Sequence, residues 1–443
     1  MEFSDKSIRK LIIPIVIEQT LMITMGIADT VMVSSCGESV VSGISLVDQI
    51  NVLLVSLFSA LAAGGSIVVA QFLGHGDEKL VKKASAQLFL SVVFVSTLFM
   101  LIAILFNNGI LNLLYKKIEA DVFKSASVYF YIVAVSFPFL GIYSSGAALF
   151  RAIGNSKISM NISFIANVIN IAGNALLIYI FHMGAAGAAL STLFSRIITS
   201  ICIAVALVHN KNLSFKLTLK PDAEMLRKIL YISIPTGLEN SIFQIGKLIV
   251  STMTAGLGTV VITANAITNS IAGFQNIPSN AIGTGLITVT GQTIGAGDEK
   301  NAYKLVGKFM RTSYIYTTIL GVLIFAFAGP VCFIYHLSEE TAELVVLVLR
   351  FNCIMSILAH TPSFALPNAL RAAGDVRYTM TVAIASMWIF RIGFAYVLGL
   401  KLGFGLLGIW AAMTIDWLVR SAFYVARYVT GKWLTHKDAI VGS

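Results

Sequence analysis

Four acidic side chains stand well inside long apolar stretches of this sequence: Glu18, Asp29, Glu239 and Asp416. An ionised group in such a setting costs roughly 2.5–3.5 kcal/mol on membrane-insertion scales, so each has to be neutralised, paired or put to use. Glu18 and Asp29 lie eleven residues apart in IIPIVIEQTLMITMGIADTVMV, nearly three helical turns, and so share a face. Pro14 and Gly26 in the same stretch give places to bend or unwind. Carboxylates on a bendable helix suit a site that gains and loses a proton or a monovalent cation. Neutralised, a carboxyl group tolerates apolar surroundings; ionised, it favours wetter ones. The plainer expectation for Asp29 is simple hydration near one membrane surface.

Glu239 and Lys247, eight apart, share a second helical face and are expected to pair with each other or to bind a ligand. A cationic substrate would find carboxylates at Glu18, Asp29 or Glu239, together with aromatic faces. Asp416 and Arg420 are four apart, and Arg391 on the preceding stretch completes an expected Arg391–Asp416–Arg420 network, whose plain role is a structural clamp. Asn167, Asn170 and Asn174 form a stripe of amides that either ties helices together or lines a polar cavity, with Arg196 expected to meet Asp29 there. Pro362 and Pro367 interrupt the stretch around His360 and should free backbone carbonyls, while His360 itself is expected only to pack.

The elements that must position these groups follow from composition. Of 443 residues, 57% are hydrophobic and 12% charged, too little polar surface to clothe a soluble domain of this length. A soluble enzyme, a nucleic-acid binder and a disordered chain are therefore excluded. Twelve apolar runs of membrane-crossing length stand at 11–35, 46–72, 87–106, 127–150, 159–182, 184–208, 229–256, 265–292, 311–335, 343–370, 379–400 and 404–428. They are too long for barrel strands, so the fold class is all-α, a polytopic membrane protein. The expected division is a first lobe over 1–208, a linker over 209–228 and a second lobe over 229–443. With the N-terminus inside, the inner segments hold 22 of the 31 Lys and Arg and the outer loops four, which predicts that both termini are cytoplasmic. The remaining five, Arg196, Lys247, Arg350, Arg391 and Arg420, fall well inside spans, Arg311 and Arg427 at span ends being counted with the inner segments.

Cys36, Cys202, Cys332 and Cys353 are far apart and form no CxxC pair, so they read as core residues, with no metal site or cofactor expected. The first apolar run carries Pro14, Glu18 and Asp29 and is expected to be a span rather than a cleaved signal.

The chain also repeats itself. A shift of 221 carries Pro14, Glu18, Gly64 and Gln71 onto Pro235, Glu239, Gly285 and Gln292, and GHGDEK onto GAGDEK. RAIGN at Arg151–Asn155 matches RAAGD at Arg371–Asp375 with a shift of 220, and Gly184 and Gly187 match Gly405 and Gly408 at 221 again. Six spans per copy return the chain to the same side, so the two lobes are expected to be related by a pseudo-two-fold axis along the membrane normal, an architecture of secondary transporters. The GxGDEK loops read as a glycine exit and an Asp cap. No GxxxxGK[ST] occurs, so no nucleotide-driven module is expected.

Pro14 with GIADTVMV, Gln71 and the glycines after it, the paired GxGDEK loops, ALFRAIGN and ALRAAGD, in this order over nearly the whole chain, resemble the multidrug and toxic compound extrusion (MATE) transporters. The resemblance implies a V-shaped pair of six-helix lobes and export of organic cations or amphiphilic drugs in exchange for H⁺ or Na⁺. It makes Pro14 the bending proline of the first helix, Asp29 the ion-linked carboxylate, and Asn170 and Asn174 its polar partners. One branch of the family usually carries Asp at the place of Asn174, where this chain has an amide that takes no proton. Asp375 matches a tenth-helix acid of some members, or is only a cap. Glu18, Glu239, Lys247, Arg391 and Asp416 are then the candidate substrate-binding residues. The expected partners are a small amphiphile and the lipid bilayer, with the protein a monomer and no nucleic acid bound. A flippase for lipid-linked saccharides is the rival transporter, kept open by Lys247, Arg196 and Arg391. An intramembrane enzyme would need HExxH, DDxxD or GxSxG, and none occurs.

Overall fold

The computed structural model describes residues 3–115, 119–210, 213, 215, 218, 220–335 and 337–442. Lys116, Lys117, Lys211 and Lys216, four of the cations behind the expected orientation, lie outside the described residues. Among the described residues every regular element is a helix. The first half contains α1 (Asp5–Ser34), α2 (Glu38–His75), α3 (Glu78–Leu105), a short α4 (Asn107–Leu114), α5 (Ala120–Val135), α6 (Phe137–Ala152), α7 (Ser156–Asn174) and α8 (Gly184–His209). The second contains α9 (Ala223–Ala255), α10 (Thr259–Gly295), α11 (Glu299–Ile334), α12 (Glu339–Met355), α13 (Thr361–Phe364), α14 (Leu366–Ala372), α15 (Val376–Ser386), α16 (Gly405–Val429) and a terminal α17 (Asp438–Val441). Four π-helical stretches continue these helices, at Ala175–Ile180, Ser356–His360, Met387–Gly393 and Ala395–Lys401.

Nine helices among the described residues are long and apolar enough to cross a membrane, and α5 with α6, bent by 47° at their junction, makes a tenth path. The other two expected spans are α9 and α10, of 33 and 37 residues. At 1.5 Å per residue each reaches about 50 Å. Their Glu, Lys, Asn, Thr and Gly residues dilute the apolar signal. Most helices begin before the expected spans, and α2 and α10 also end beyond them, because the polar turns outside the apolar core stay helical. The glycine exits are as expected: Gly76 and Gly297 adopt φ of +84° and +73°. Asp77 Oδ1 then accepts from the Lys79 and Leu80 amides at 3.0 and 2.9 Å, and Asp298 Oδ1 from the Asn301 amide at 3.1 Å.

The helices form two compact units. One comprises the chain up to Val69 with Asp77–Ile234; the other comprises Ala70–Gly76 with the chain from Pro235 onward. The division thus differs from the expected linker at 209–228. The start of α9 stays with the first unit because Gly64 lets the two backbones meet: a Cβ there would lie 2.1 Å from Ser233 Oγ, and Ser233 Oγ donates to the Leu61 carbonyl at 3.3 Å. Lys83 also holds Asp222 at 2.8 Å in that unit. That ammonium, followed by the Met225 amide, keeps the Asp222 carboxyl below the usual carboxylate range. The end of α2 belongs to the second unit because Gln71 Nε2 donates to the Ala372 carbonyl at 2.7 Å and because Gly74 and Gly295 abut backbone there.

In the first unit α1 packs on α7, α7 on α8, and α3 and α8 on α6. Its core centres on Phe58, which meets Phe99 and Phe137 edge-on with ring centroids 6.1 Å apart. Pro138 near the start of α6 lacks the N–H that would join it to α5, and the chain bends at Ser136. In the second unit α10 packs on α11, α12 and α14, and α16 lies along the π-helical stretches. A π turn takes up an extra residue. The stretch Met387–Gly393 falls where the repeat shift changes from 220 to 221. On its near side the two copies tie the same pair of positions with donor and acceptor exchanged: Ser195 Oγ donates to the Ala166 carbonyl at 3.0 Å, and Ser386 Oγ to the Asp416 carbonyl at 3.2 Å.

Candidate functional site

Asp29 sits near the C-terminal end of α1, where Thr20, Thr24 and Thr30 back-bond to the carbonyls four residues earlier. Such bonds weaken and bend a helix. Pro14 removes one further donor, yet α1 runs unbroken from Asp5 to Ser34. Gly26 has open space where a Cβ would stand, so it is not needed for close packing. The Asp29 carboxylate accepts from Asn174 Nδ2 at 2.6 Å, and Asn174 in turn contacts Asn170 Oδ1 at 3.4 Å. Asn170 reaches Thr192 Oγ1 at 3.5 Å. Asn174 is the last residue before the π turn Ala175–Ile180. The stripe of amides therefore does line a cavity, one of about 340 Å³ built entirely within the first unit, with Asp29, Asn167, Asn170, Asn174, Thr192 and Arg196 on its walls.

A second carboxylate enters this cavity that the sequence reading did not single out: Asp48, ten residues into α2. It accepts from Tyr129 Oη at 3.2 Å and Asn51 Nδ2 at 3.3 Å. The signal was its position just inside the second apolar run, masked by the polar turn of helix before it. Arg196 does not bond Asp29 directly. It donates to Ser136 Oγ at 2.6 Å, at the bend between α5 and α6. From there its charge still acts on both Asp29 and Asp48. Asn51 Oδ1 and Asn174 Oδ1 are buried and accept no hydrogen bond from any described residue. Two carboxylates and two unclaimed amide oxygens around one cavity are oxygen donors for a small cation, or a landing place for a proton.

Glu18 lies outside this cavity wall and already has a cation. Arg151 Nη1 stands 3.2 Å from Glu18 Oε1, Tyr143 Oη donates to Oε1 at 3.1 Å and Ser159 Oγ to Oε2 at 3.1 Å. The repeat mate does the same: Arg371 Nη2 lies 2.5 Å from Glu239 Oε1, with Arg371 Nη1 also donating to Asn368 at 3.0 Å. The expected pairing of Glu239 with Lys247 is thus corrected. The last turn of α14, which leads into the RAAGD turn, brings a better-placed guanidinium, and Lys247, which is exposed, forms no ion pair among the described residues. The two matched motifs that mark the repeat, PxxxE and RA(I/A)G, are partners in space. Arg371→Met would leave Glu239 buried without its cation, a loss of about 3–5 kcal/mol. The expected result is a large fall in thermal stability in detergent that Arg371→Met with Glu239→Leu largely restores. Equal stability of single and double variants would disprove the coupling.

The Arg391–Asp416–Arg420 network forms as expected. Asp416 Oδ2 lies 3.0 Å from Arg391 Nε and 3.1 Å from Arg420 Nη2, and Oδ1 accepts from Ser386 Oγ at 2.6 Å. Pro362 and Pro367 do break the helical path, and in the π-helical stretch just before them the Ala359 carbonyl accepts from Ser421 Oγ at 2.8 Å. Asp375 is more than a cap: it makes no capping bond to α15 and instead takes Arg427 at 2.7 and 3.2 Å.

A sequence model of the MatE family matches residues 14–176 and 235–397, two copies offset by the same 221 residues as the internal repeat and together more than half of the chain. YisQ of Bacillus subtilis strain 168, described as an uncharacterised transporter, is 28% identical over 429 residues, covering 95% of this chain and 93% of its own. The probable multidrug resistance protein NorM of Thermotoga maritima is 23% identical over 436 residues, covering 97% and 93%. A solved structure described as the outward-facing conformation of a multidrug resistance MATE family transporter shares the fold, with a TM-score of 0.89 at 18% identity over 99% of this chain and 97% of the other.

Proposed function

The chain belongs to the MatE family of membrane transporters, and from that premise we propose that it is a secondary active efflux antiporter. It exports amphiphilic or cationic small molecules in exchange for H⁺ or Na⁺, as a monomer in the bacterial inner membrane with both termini in the cytoplasm. The supporting observation is the cavity of the first unit, where Asp29 is bound by Asn174 and where the Asn51 and Asn174 amide oxygens have no donor among the described residues. Loading a cation or proton there neutralises a carboxylate beside a helix that Pro14 and the back-bonding threonines make easy to bend. The energetic difference between the loaded and unloaded lobe is what an alternating-access cycle needs, because a ligand moves an equilibrium only by its differential affinity for the two states. Both oxygens of Glu18 are engaged by Arg151, Tyr143 and Ser159, while Glu239 pairs with Arg371 through Oε1 and keeps Oε2 without a hydrogen-bond partner among the described residues.

The test is flux of a fluorescent amphiphile in proteoliposomes without nucleotide, under a pH gradient alone and then a sodium gradient alone. Saturable, gradient-driven accumulation with one of the two ions is the expected result. Flux that simply follows the amphiphile's own gradient, whichever ion is supplied, would refute antiport.

A further inference from the structure

The second unit carries a cluster of the opposite charge at the matching place in the repeat. The shift of 221 carries Gly26 onto Lys247, Ser195 onto Asp416 and Thr199 onto Arg420, and, counting the extra residue of the π turn, Asn170 onto Arg391. Asn170, Ser195, Thr199 and Gly26 all line the carboxylate-bearing cavity of the first unit. Asp29 itself falls on Val250, so the second copy has no carboxylate there. What was a small polar wall in one copy is a set of cations in the other.

These cations are incompletely neutralised. Arg391 and Arg420 are 4% and 3% exposed and share the single carboxylate of Asp416. The charge of Lys247 lies within reach of Arg391, while Glu239 is taken by Arg371. Four cations thus face two anions, an excess of two positive charges. Arg391 Nη2, Arg420 Nε and Trp417 Nε1 are buried donors with no hydrogen-bond partner among the described residues, and His360 Nδ1 is likewise unpartnered. These groups are contiguous. Arg420 lies over Phe364 at 4.6 Å and Arg391 over Phe243 at 4.9 Å; His360 stacks on Phe364 at 4.4 Å and meets Trp417 edge-on at 5.2 Å. His360 and Arg391 also sit on π turns, which recur at functional sites. Buried charge without a counter-charge is costly, and water supplies hydrogen bonds but no negative charge. A planar guanidinium with free N–H groups beside aromatic rings fits a bound oxyanion attached to an apolar body.

We propose that this cluster binds the acidic group of an amphiphilic substrate, a carboxylate, sulfonate or phosphate, with Arg391 and Arg420 as the direct donors, the Phe243 and Phe364 rings against the apolar part, and exposed Lys247 as the entry charge. The proposal rests on the efflux reading above and names the substrate class for it. An acid or zwitterion, rather than a simple organic cation, is then the cargo.

Binding is measured on the purified protein in detergent, with no gradient, by energy transfer from tryptophan to a dansyl group. Dansylglycine is the acidic probe, and dansylcadaverine carries the same ring with an ammonium. Dansylglycine is expected to bind at least ~10-fold more tightly than the cation. Arg391→Gln and Arg420→Gln should each weaken it ~10–100-fold, the range for losing hydrogen bonds to a charged group. Each variant leaves Asp416 one arginine, so the network is not orphaned. Lys247→Gln, on an exposed side chain, gives a second variant free of that network, and a weaker loss is expected. A short-chain phosphatidylglycerol displaces the probe where the acid belongs to a lipid headgroup; only soluble organic acids displace it where it does not. Equal binding of the two dansyl probes, or unchanged dansylglycine affinity in both arginine variants, would overturn the site. Asp29→Asn separates the two readings: that variant is expected to lose gradient-driven transport and to keep dansylglycine binding, and antiport fails where the wild-type protein's flux follows neither ion gradient, whereas acid binding by the second unit stands or falls without it.

Discussion

Gly74→Ala is expected to yield little correctly packed protein. A Cβ on Gly74 would lie 1.9 Å from the Gln292 carbonyl oxygen, 2.7 Å from its carbon and 2.9 Å from its Cα. The reciprocal contact is as tight, with a Cβ on Gly295 1.9 Å from the Gln71 oxygen. Both obstacles are backbone, so no rotamer change relieves them, and the two helices would have to part by more than about 1 Å to restore ordinary contact. Adding one methyl to a packed core costs about 1–3 kcal/mol where side chains can yield, and this site lies at or beyond the upper end. Separation would also strain the Gln71 Nε2 bond to the Ala372 carbonyl. The measurement is thermal stability and monodispersity in detergent beside Gly273→Ala, a helical position on α10 with nothing within 4 Å of its added Cβ. Gly273→Ala should be neutral or slightly stabilising, since alanine is the better helix former. Matching behaviour of the two variants would show that the crossing is not close-packed.

That crossing was visible in sequence only as a pattern. Gln71 and Gly74 recur as Gln292 and Gly295, which marks a repeated requirement without saying that the two copies meet each other. The helices themselves were legible because an apolar run of membrane length has one solution, a helix that satisfies its own backbone. The ends were less so, since a polar turn that continues a helix looks like a loop. Asp48, two residues inside the second expected run, passed for part of that polar end. The asparagine stripe and the Arg391–Asp416–Arg420 network were readable because helical spacing fixes which residues share a face. The partners of Glu18 and Glu239 were not, because Arg151 and Arg371 stand more than a hundred residues away and spacing carries no information across a fold. The repeat did hold that information. Two motifs duplicated together at nearly the same shift are what a conserved contact between them would produce within each copy. The charge reversal between the copies could likewise have been read from the 221 shift, by asking what stands opposite Asn170, Ser195 and Thr199.

Asp29→Asn is expected to abolish gradient-driven transport while leaving the fold and acid binding in place. The substitution keeps side-chain volume and leaves an oxygen to accept from Asn174 Nδ2, now 2.6 Å from Asp29 Oδ1, so the wall of the cavity is preserved. It removes the one property coupling requires there, a charge that a proton or Na⁺ can cancel. To carry a two-state equilibrium from 1:99 to 99:1 the ion must favour one state by about 5.5 kcal/mol, and an amide gives it no comparable preference. Asp48 is not a substitute: on α2 it is tied to Tyr129 and Asn51, and of the two cavity carboxylates Asp29 is the one on the helix with Pro14. Accumulation should fall ~100-fold or more under the driving ion, to the passive leak of empty liposomes, with thermal stability little changed. Asp29→Glu should recover part of it, since the carboxylate returns on a longer arm. Wild-type accumulation by Asp29→Asn would move the coupling site elsewhere in the cavity, with Asp48 next in line.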